Sequence, residues 1–306
     1  MATRAVLVTG ATGKQGSAVI DALLKANAPY EILALTRNAQ SPSAQKLLKK
    51  SPTIKLLTGD LDACDQVFTN AKEATKLPIW GVFSVQFAMG KNEEPQGKAL
   101  VDASLKHGVQ HFVYSSVDRG GPNSDTNPTV VPHFITKHNI EQHLFAKAKG
   151  SNMTWTVLRP VAFSDNLTPD FMGKVFVTAW ALKLKRDQKL QLIATSDIGF
   201  FAAQAFLLHD SDAYRNQSLS LAGDEISIEE LRHIFERRTG LKLPATYRLL
   251  VQILCLIASE LGSMYNWFRD VGFGVDIEEV RKIHPEVKSF ERWLETESFF
   301  LKHRFP

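Results

Sequence analysis

The sequence predicts an α/β fold: a Rossmann-like, doubly wound parallel sheet with a smaller, mostly helical C-terminal substrate or cap region. Three observations carry that prediction. Apolar, strand-like runs alternate with helix-like stretches five times before residue 116, the rhythm of a parallel sheet with crossover helices. A glycine-rich turn joins the first strand to the first helix, the arrangement that a dinucleotide requires. After Asn166 the alternation breaks and helical patterns dominate. Residues 1–166 are therefore expected to form a dinucleotide-binding domain, with strands from roughly 190–221 returning to it, and residues 167–306 a discontinuous cap.

The first strand, residues 5–9, runs into Gly10-Ala11-Thr12-Gly13-Lys14-Gln15-Gly16 and then into a helix ending at Lys25. The glycines allow a tight turn and close backbone approach, so that the free N–H groups and positive dipole end of the helix can face a pyrophosphate. The spacing is Gly-x-x-Gly-x-x-Gly, and its weight comes from lying between a buried-type strand and an amphipathic helix; the competing reading is a turn that binds nothing. Residues 31–36 form the second strand, ending in Thr36-Arg37-Asn38. An acid at that tip would take the 2′-hydroxyl of NAD, whereas an arginine accommodates the 2′-phosphate of NADP. Arg37 therefore points to NADP(H), against the plainer reading of a solvated surface residue.

Ser41-Pro42 opens the next helix, proline being tolerated at its first position. It ends near Lys49-Lys50, and residues 54–58 form the third strand. Asp60, with Leu61 beside it, falls at the carboxyl edge of the sheet, where an acceptor can meet an adenine amino group; Asp62 equally suits the cap of the helix running to Ala74. Residues 79–85 are apolar on both faces, as a central parallel strand should be. Ser84 and Gln86 at its exit, and Lys91 on the following loop, are candidate ligand contacts because that loop leaves the sheet at its ligand edge. Pro95 opens a helix through Lys106, residues 111–115 form the fifth strand, a polar loop covers 118–128, and a helix starts at His133. Residues 155–158 make a sixth strand.

Beyond it, residues 171–185 read as a helix, and Lys183, Lys185, Arg186 and Lys189 as a solvated basic face. Asp197-Ile198-Gly199 precedes a helix to Leu208, and residues 217–221 form a strand. Ser227-Ile228-Glu229-Glu230 is a capping box opening a helix that Gly240 closes. The stretch 249–261 is apolar nearly all round and should be buried in the cap, against the sheet domain or in a partner; a core helix is the plainer reading, ahead of a docking surface.

Composition narrows the functional classes. Lys plus Arg exceed Asp plus Glu by 36 − 32 = 4, a mild excess that suits an anionic ligand but lacks the clustered basic face of a nucleic-acid binder. Cys64 and Cys255 lie far apart with no metal or disulfide spacing and read as buried thiols in a reducing compartment. The first residues lead straight into a strand, and the longest apolar run, interrupted by Gln252, is shorter than a bilayer span. The expectation is a cytoplasmic protein, with the nucleus as the alternative, and without metal, membrane or direct nucleic-acid partner.

These motifs together resemble the NmrA-like family, an atypical branch of the short-chain dehydrogenases and reductases. The residues that carry the resemblance are the turn from Val8 to Gly16, Thr36-Arg37, Gly59-Asp60-Leu61-Asp62, His133-Phe134 with Lys137, Leu158-Arg159-Pro160 with Phe163 and Asn166, and Asp197-Ile198-Gly199. The resemblance implies NADP(H) held by Gly10 to Gly16, by Arg37 at the 2′-phosphate, by Lys91, and by Lys137 near the nicotinamide ribose, with Val161, Ala162, Phe163 and Ser164 lining the nicotinamide end. Short-chain dehydrogenases place a tyrosine four residues before the lysine; here His133 stands there. The implied activity is NADPH-dependent reduction of a small carbonyl, enone or imine substrate, with Lys137 orienting the ribose and His133 or Ser116 relaying a proton. The alternative implied by the same family is a non-catalytic NADP(H) sensor acting on a regulatory protein partner, with residues 118–128 and 249–261 as output surfaces.

Overall fold

The computed structural model describes residues 2–87 and 92–302. In chain order its elements are β1 (Arg4–Val8), α1 (Lys14–Lys25), β2 (Tyr30–Thr36), α2 (Pro42–Leu48), β3 (Ile54–Thr58), α3 (Cys64–Ala74), β4 (Ile79–Ser84), α4 (Glu93–Lys106) and β5 (His111–Ser115). They continue with α5 (Pro132–Ala148), β6 (Thr154–Pro160), β7 (Ala162–Phe163), α6 (Phe171–Lys183), β8 (Lys189–Ile193), α7 (Thr195–Leu207), β9 (Gln217–Leu221) and β10 (Asp224–Ser227). The remainder is helical: α8 (Ile228–Thr239), α9 (Arg248–Ile257), α10 (Ser259–Asp270), α11 (Ile277–Ile283), α12 (Phe290–Thr296) and α13 (Phe299–Lys302). The chain divides into two compact units: Met1–Ser116 with Thr136–Arg159 and Ser196–Leu219, and Val117–Ile135 with Pro160–Thr195 and Ser220–Pro306.

A seven-stranded sheet runs in the order β3-β2-β1-β4-β5-β6-β9, and β1 to β6 pair in parallel throughout. β1, β4 and β5 are buried on both faces apart from Arg4, which explains their unbroken apolar runs. The order reverses at β1, which pairs with β2 on one side and β4 on the other. Ligands of such sheets bind outside the carboxyl ends of the strands at that reversal. The edge is fastened there: the Thr9 hydroxyl donates to the Val85 carbonyl at 2.9 Å and accepts the Val85 N–H at 2.8 Å. Helices α1 and α7 belong to the same unit, and a Cβ at Gly199 would come within 2.4 Å of the Ala18 carbonyl oxygen, so glycine is what lets these helices approach. Asp197-Ile198-Gly199 thus lies inside α7 rather than ahead of it; its role is packing.

The second unit contains a small sheet, β10-β8-β7, surrounded by helices with a core that includes Trp180, Leu192, Phe235, Tyr265 and Trp293. Residues 190–221, expected as a return to the large sheet, supply β9 to it, while β8 joins the small one. The capping box forms as read: the Ser227 hydroxyl accepts the Glu230 N–H, and the Glu230 side chain accepts the Ser227 N–H, with Gly240 left-handed at the other end. The loop at 118–128 is pinned at its start. Buried Asp118 accepts N–H groups from Gly120, Gly121 and Gly274 and the hydroxyl of Ser220, and buried Arg119 donates to the carbonyls of Val117, Ser124 and Asn127.

One expectation for this unit is overturned. The stretch 249–261 is not a core helix: it breaks into α9 and α10, bent by 105°, and α9 buries only Val251 and Cys255. Leu249, Leu256 and Ile257 are 69%, 81% and 78% exposed. No single helix among the described residues is long and apolar enough to cross a membrane; the bent pair passes that test by length and composition alone.

Candidate functional site

The glycine turn of the first unit has the geometry its sequence implies. Gly10 is left-handed with φ at +56°, and a Cβ at Gly16 would lie 2.3 Å from the Gly10 carbonyl oxygen, so no other residue lets α1 fold back this closely. The N-cap of α1 is Gly13, which offers no side-chain acceptor to the first-turn N–H groups. An uncapped twelve-residue helix leaves those donors and its positive dipole end for an anion. Lys14 and Thr12 are exposed and Ala11 is buried. Gln15 accepts the Ser115 hydroxyl at 2.5 Å, tying the turn to β5.

Arg37 is exposed just past β2 and forms no ion pair among the described residues. Asp60 is the capping acid: its carboxylate accepts the Asp62 N–H at 3.0 Å and starts the 3-10 turn at Leu61–Ala63. Asp62, the alternative cap, instead accepts from the side chains of Asn92 and Gln96; it lies within the 3-10 turn, and the N-cap of α3 is Ala63. Burial, helped by the charges of Asp65, Asp62 and Asp60, pushes the Cys64 thiol up to about 12. Past β4, buried Ser84 accepts from the Gln86 side-chain amide at 2.9 Å, and the Gln86 Oε1 is buried with no hydrogen-bond partner among the described residues. A polar atom left unmatched at the ligand edge of the sheet fits a bound group that supplies a donor. Lys91 lies outside the described residues.

Lys137 projects from the part of α5 that belongs to the first unit. Its side chain is 8% exposed, its ammonium is 2.9 Å from Glu93 Oε1, whose side chain is 1% exposed, and it is 3.5 Å from the Ser115 carbonyl. Glu93 belongs to α4, which begins two residues before the expected Pro95 because proline fits within a first turn, whose N–H groups have no partner within the helix. Ser116 is buried and donates its hydroxyl to Glu141, which also holds Arg159 at 2.7 Å. That serine, expected as a proton relay, has its hydroxyl directed at a buried carboxylate. Sequence reading missed Glu93, Glu141 and Gln86's orphaned oxygen; the pair Glu93-Glu94 ahead of an apolar helix was the only local signal.

In the second unit, His133 is buried in the first turn of α5. Glu260, from α10, accepts the His133 N–H at 3.0 Å and contacts its ring Nδ1. Val161 and Ser164 are buried, and Ala162 and Phe163 form β7, paired in parallel with β8. Asp165 accepts both the N–H and the hydroxyl of Thr195. Among the described residues no group of three or more His, Cys, Asp or Glu side chains could hold a metal ion.

Similarity to known proteins supports the same lineage. The chain is 36% identical over 129 residues to the NmrA-like family domain-containing oxidoreductase hkm9 of Aspergillus hancockii, a match spanning 40% of this chain and 35% of that protein; the chain covers about a third to a half of the first curated relatives it matches. Its fold is similar to that of Citrobacter triphenylmethane reductase, solved with NADP(H), at a TM-score of 0.70 and 16% identity over 98% of this chain and 99% of the other. It is equally similar to NmrA, a negative transcriptional regulator solved with NAD, at a TM-score of 0.70 and 16% identity over 98% and 97%. With the NmrA-like family model matching residues 2–300, nearly its whole length, the chain belongs to the NmrA-like family.

Proposed function

We propose that the protein is an NADP(H)-dependent oxidoreductase acting on a small carbonyl, enone or imine substrate. The observation that carries the reading is a buried, carboxylate-paired lysine, Lys137, in the same unit as the uncapped N-terminus of α1. The first-turn N–H groups of α1 would take the pyrophosphate, Arg37 the 2′-phosphate, and Gln86 Oε1 a donor of the ligand. When bound, the cofactor supplies a hydride. Lys137 would donate to the ribose hydroxyls and hold a positive charge in a site with little water.

A second reading is favoured by two side chains. Ser116 is directed at Glu141 and His133 at Glu260, and no tyrosine stands four residues before Lys137. On this reading the protein binds NADP(H) without turnover and reports the occupancy to a protein partner, in keeping with the regulator named among its structural relatives.

The test is loss of NADPH absorbance across aldehydes, quinones, enones and imines, with an NADPH titration on the same sample. Turnover that disappears in Lys137→Ala supports the oxidoreductase. Tight binding with no turnover across the panel transfers the case to the second reading, and absence of binding removes both.

A further inference from the structure

We infer that Glu93 is a positioning residue for Lys137, the counter-ion that holds its ammonium in place for an anionic dinucleotide. The inference deepens the proposed function and rests on its assignment of Lys137 to the cofactor. An ammonium with 8% of its side chain exposed is largely withdrawn from water, and a buried charge needs an opposite charge beside it. Three groups among the described residues lie near it. Glu93 from α4 is 2.9 Å away, the Ser115 carbonyl of β5 is 3.5 Å away, and the Tyr114 ring lies 6.0 Å from the ammonium.

The neighbouring acids are committed elsewhere. Glu94, next to Glu93, takes Lys98 and the Asn139 amide, and Glu141, one turn beyond Lys137 on α5, takes Arg159 and Ser116. Glu93 is thus the carboxylate that faces Lys137. At 2.9 Å the contact is a charge-assisted one. An ammonium has three N–H donors, so one held toward Glu93 leaves others for the hydroxyls of a ribose diol.

Glu93 also stands in the first turn of α4, close after the loop leaving β4 that carries Gln86. The charge on Lys137 is therefore anchored to the segment that follows the reversal of strand order, and the pair links α5 to the cofactor edge of the sheet.

The experiment is an NADPH fluorescence titration between pH 6.5 and 8.5 on the wild type, Glu93→Gln, Glu93→Asp, Lys137→Met and the double variant Glu93→Gln/Lys137→Met. Wild-type affinity is expected to stay flat across this range. Glu93→Gln, whose lysine has lost its counter-ion and its anchor, is expected to bind about tenfold more weakly at pH 8.5. Glu93→Asp keeps the charge and should restore most of the affinity at pH 8.5, an effect that lost packing alone would not give. In the Lys137→Met background the Glu93→Gln change should add nothing, because the residue it serves is gone.

The double variant carries neither charge, so it supplies a folded reference if Glu93→Gln is unstable, and Glu93→Asp then carries the comparison with the wild type. A Glu93→Gln affinity equal to the wild type at every pH, or effects of the two sites that simply add, would overturn the positioning role while leaving the cofactor assignment intact. Failure of the wild type itself to bind NADPH overturns the proposed function and this role with it.

Discussion

On the proposed function, Arg37 is the side chain that separates two cofactors. It is exposed past β2 and unpaired among the described residues, so its guanidinium is free to meet a 2′-phosphate, a charge-assisted contact of about 1.5–3 kcal/mol. Replacing Arg37 with Asp removes that contact and sets a carboxylate against the phosphate. NADPH affinity is expected to fall by about tenfold or more while NADH affinity changes by less than about threefold; equal losses in the two titrations would remove the reason for choosing NADP. Arg37, the glycines and Lys137 were legible in the sequence because each belongs to a local pattern with a fixed offset. Glu93 and Glu260 were not. Glu260 meets His133 across 127 residues, and such pairings are set by how helices pack, which a single sequence does not spell out.

Among the elements, β3, β5 and α8 were legible nearly to the residue, since the strands are bounded by turn residues and the helix carries its own capping box; β7, β8 and β10 of the small sheet were not. α9 shows where that reading stops. Its composition is apolar, which favours burial, but only Val251 and Cys255 are buried, with Leu254 partly buried against the same core. The difference is measurable by urea unfolding. Leu256→Lys is expected to change stability by less than about 0.5 kcal/mol because the side chain is already in solvent. Val251→Ala should cost about 2 kcal/mol through lost burial and an unfilled space. A large loss in Leu256→Lys would mean that the outer stripe is covered in solution.

At the scale of the whole molecule, acid sensitivity has an identifiable source in the first unit. His111 is fully buried on β5, its ring against the hydroxyls of Thr154 and Thr156. Burial, then the nearby charge of His209, lowers its pKa from 6.5 to about 3. Below pH 6.5 the unfolded chain takes up a proton that the folded chain refuses, so stability is complete above that pH and declines as pH falls toward 3, by about 1.4 kcal/mol per unit from this group. Urea unfolding at pH 7.5 and 5.5 should show the wild type losing about 1.4 kcal/mol more than His111→Gln between the two; identical losses would place the sensitivity elsewhere. The cysteines carry a different whole-molecule consequence. Both are buried and their thiols are pushed up, Cys64 to about 12, so the folded chain presents almost no thiolate to an alkylating reagent at neutral pH. Labelling of either sulfur then proceeds through opening of the fold around it, one site in each unit. The protein carries two built-in clocks, and the ratio of their rates states which half of the molecule comes apart first.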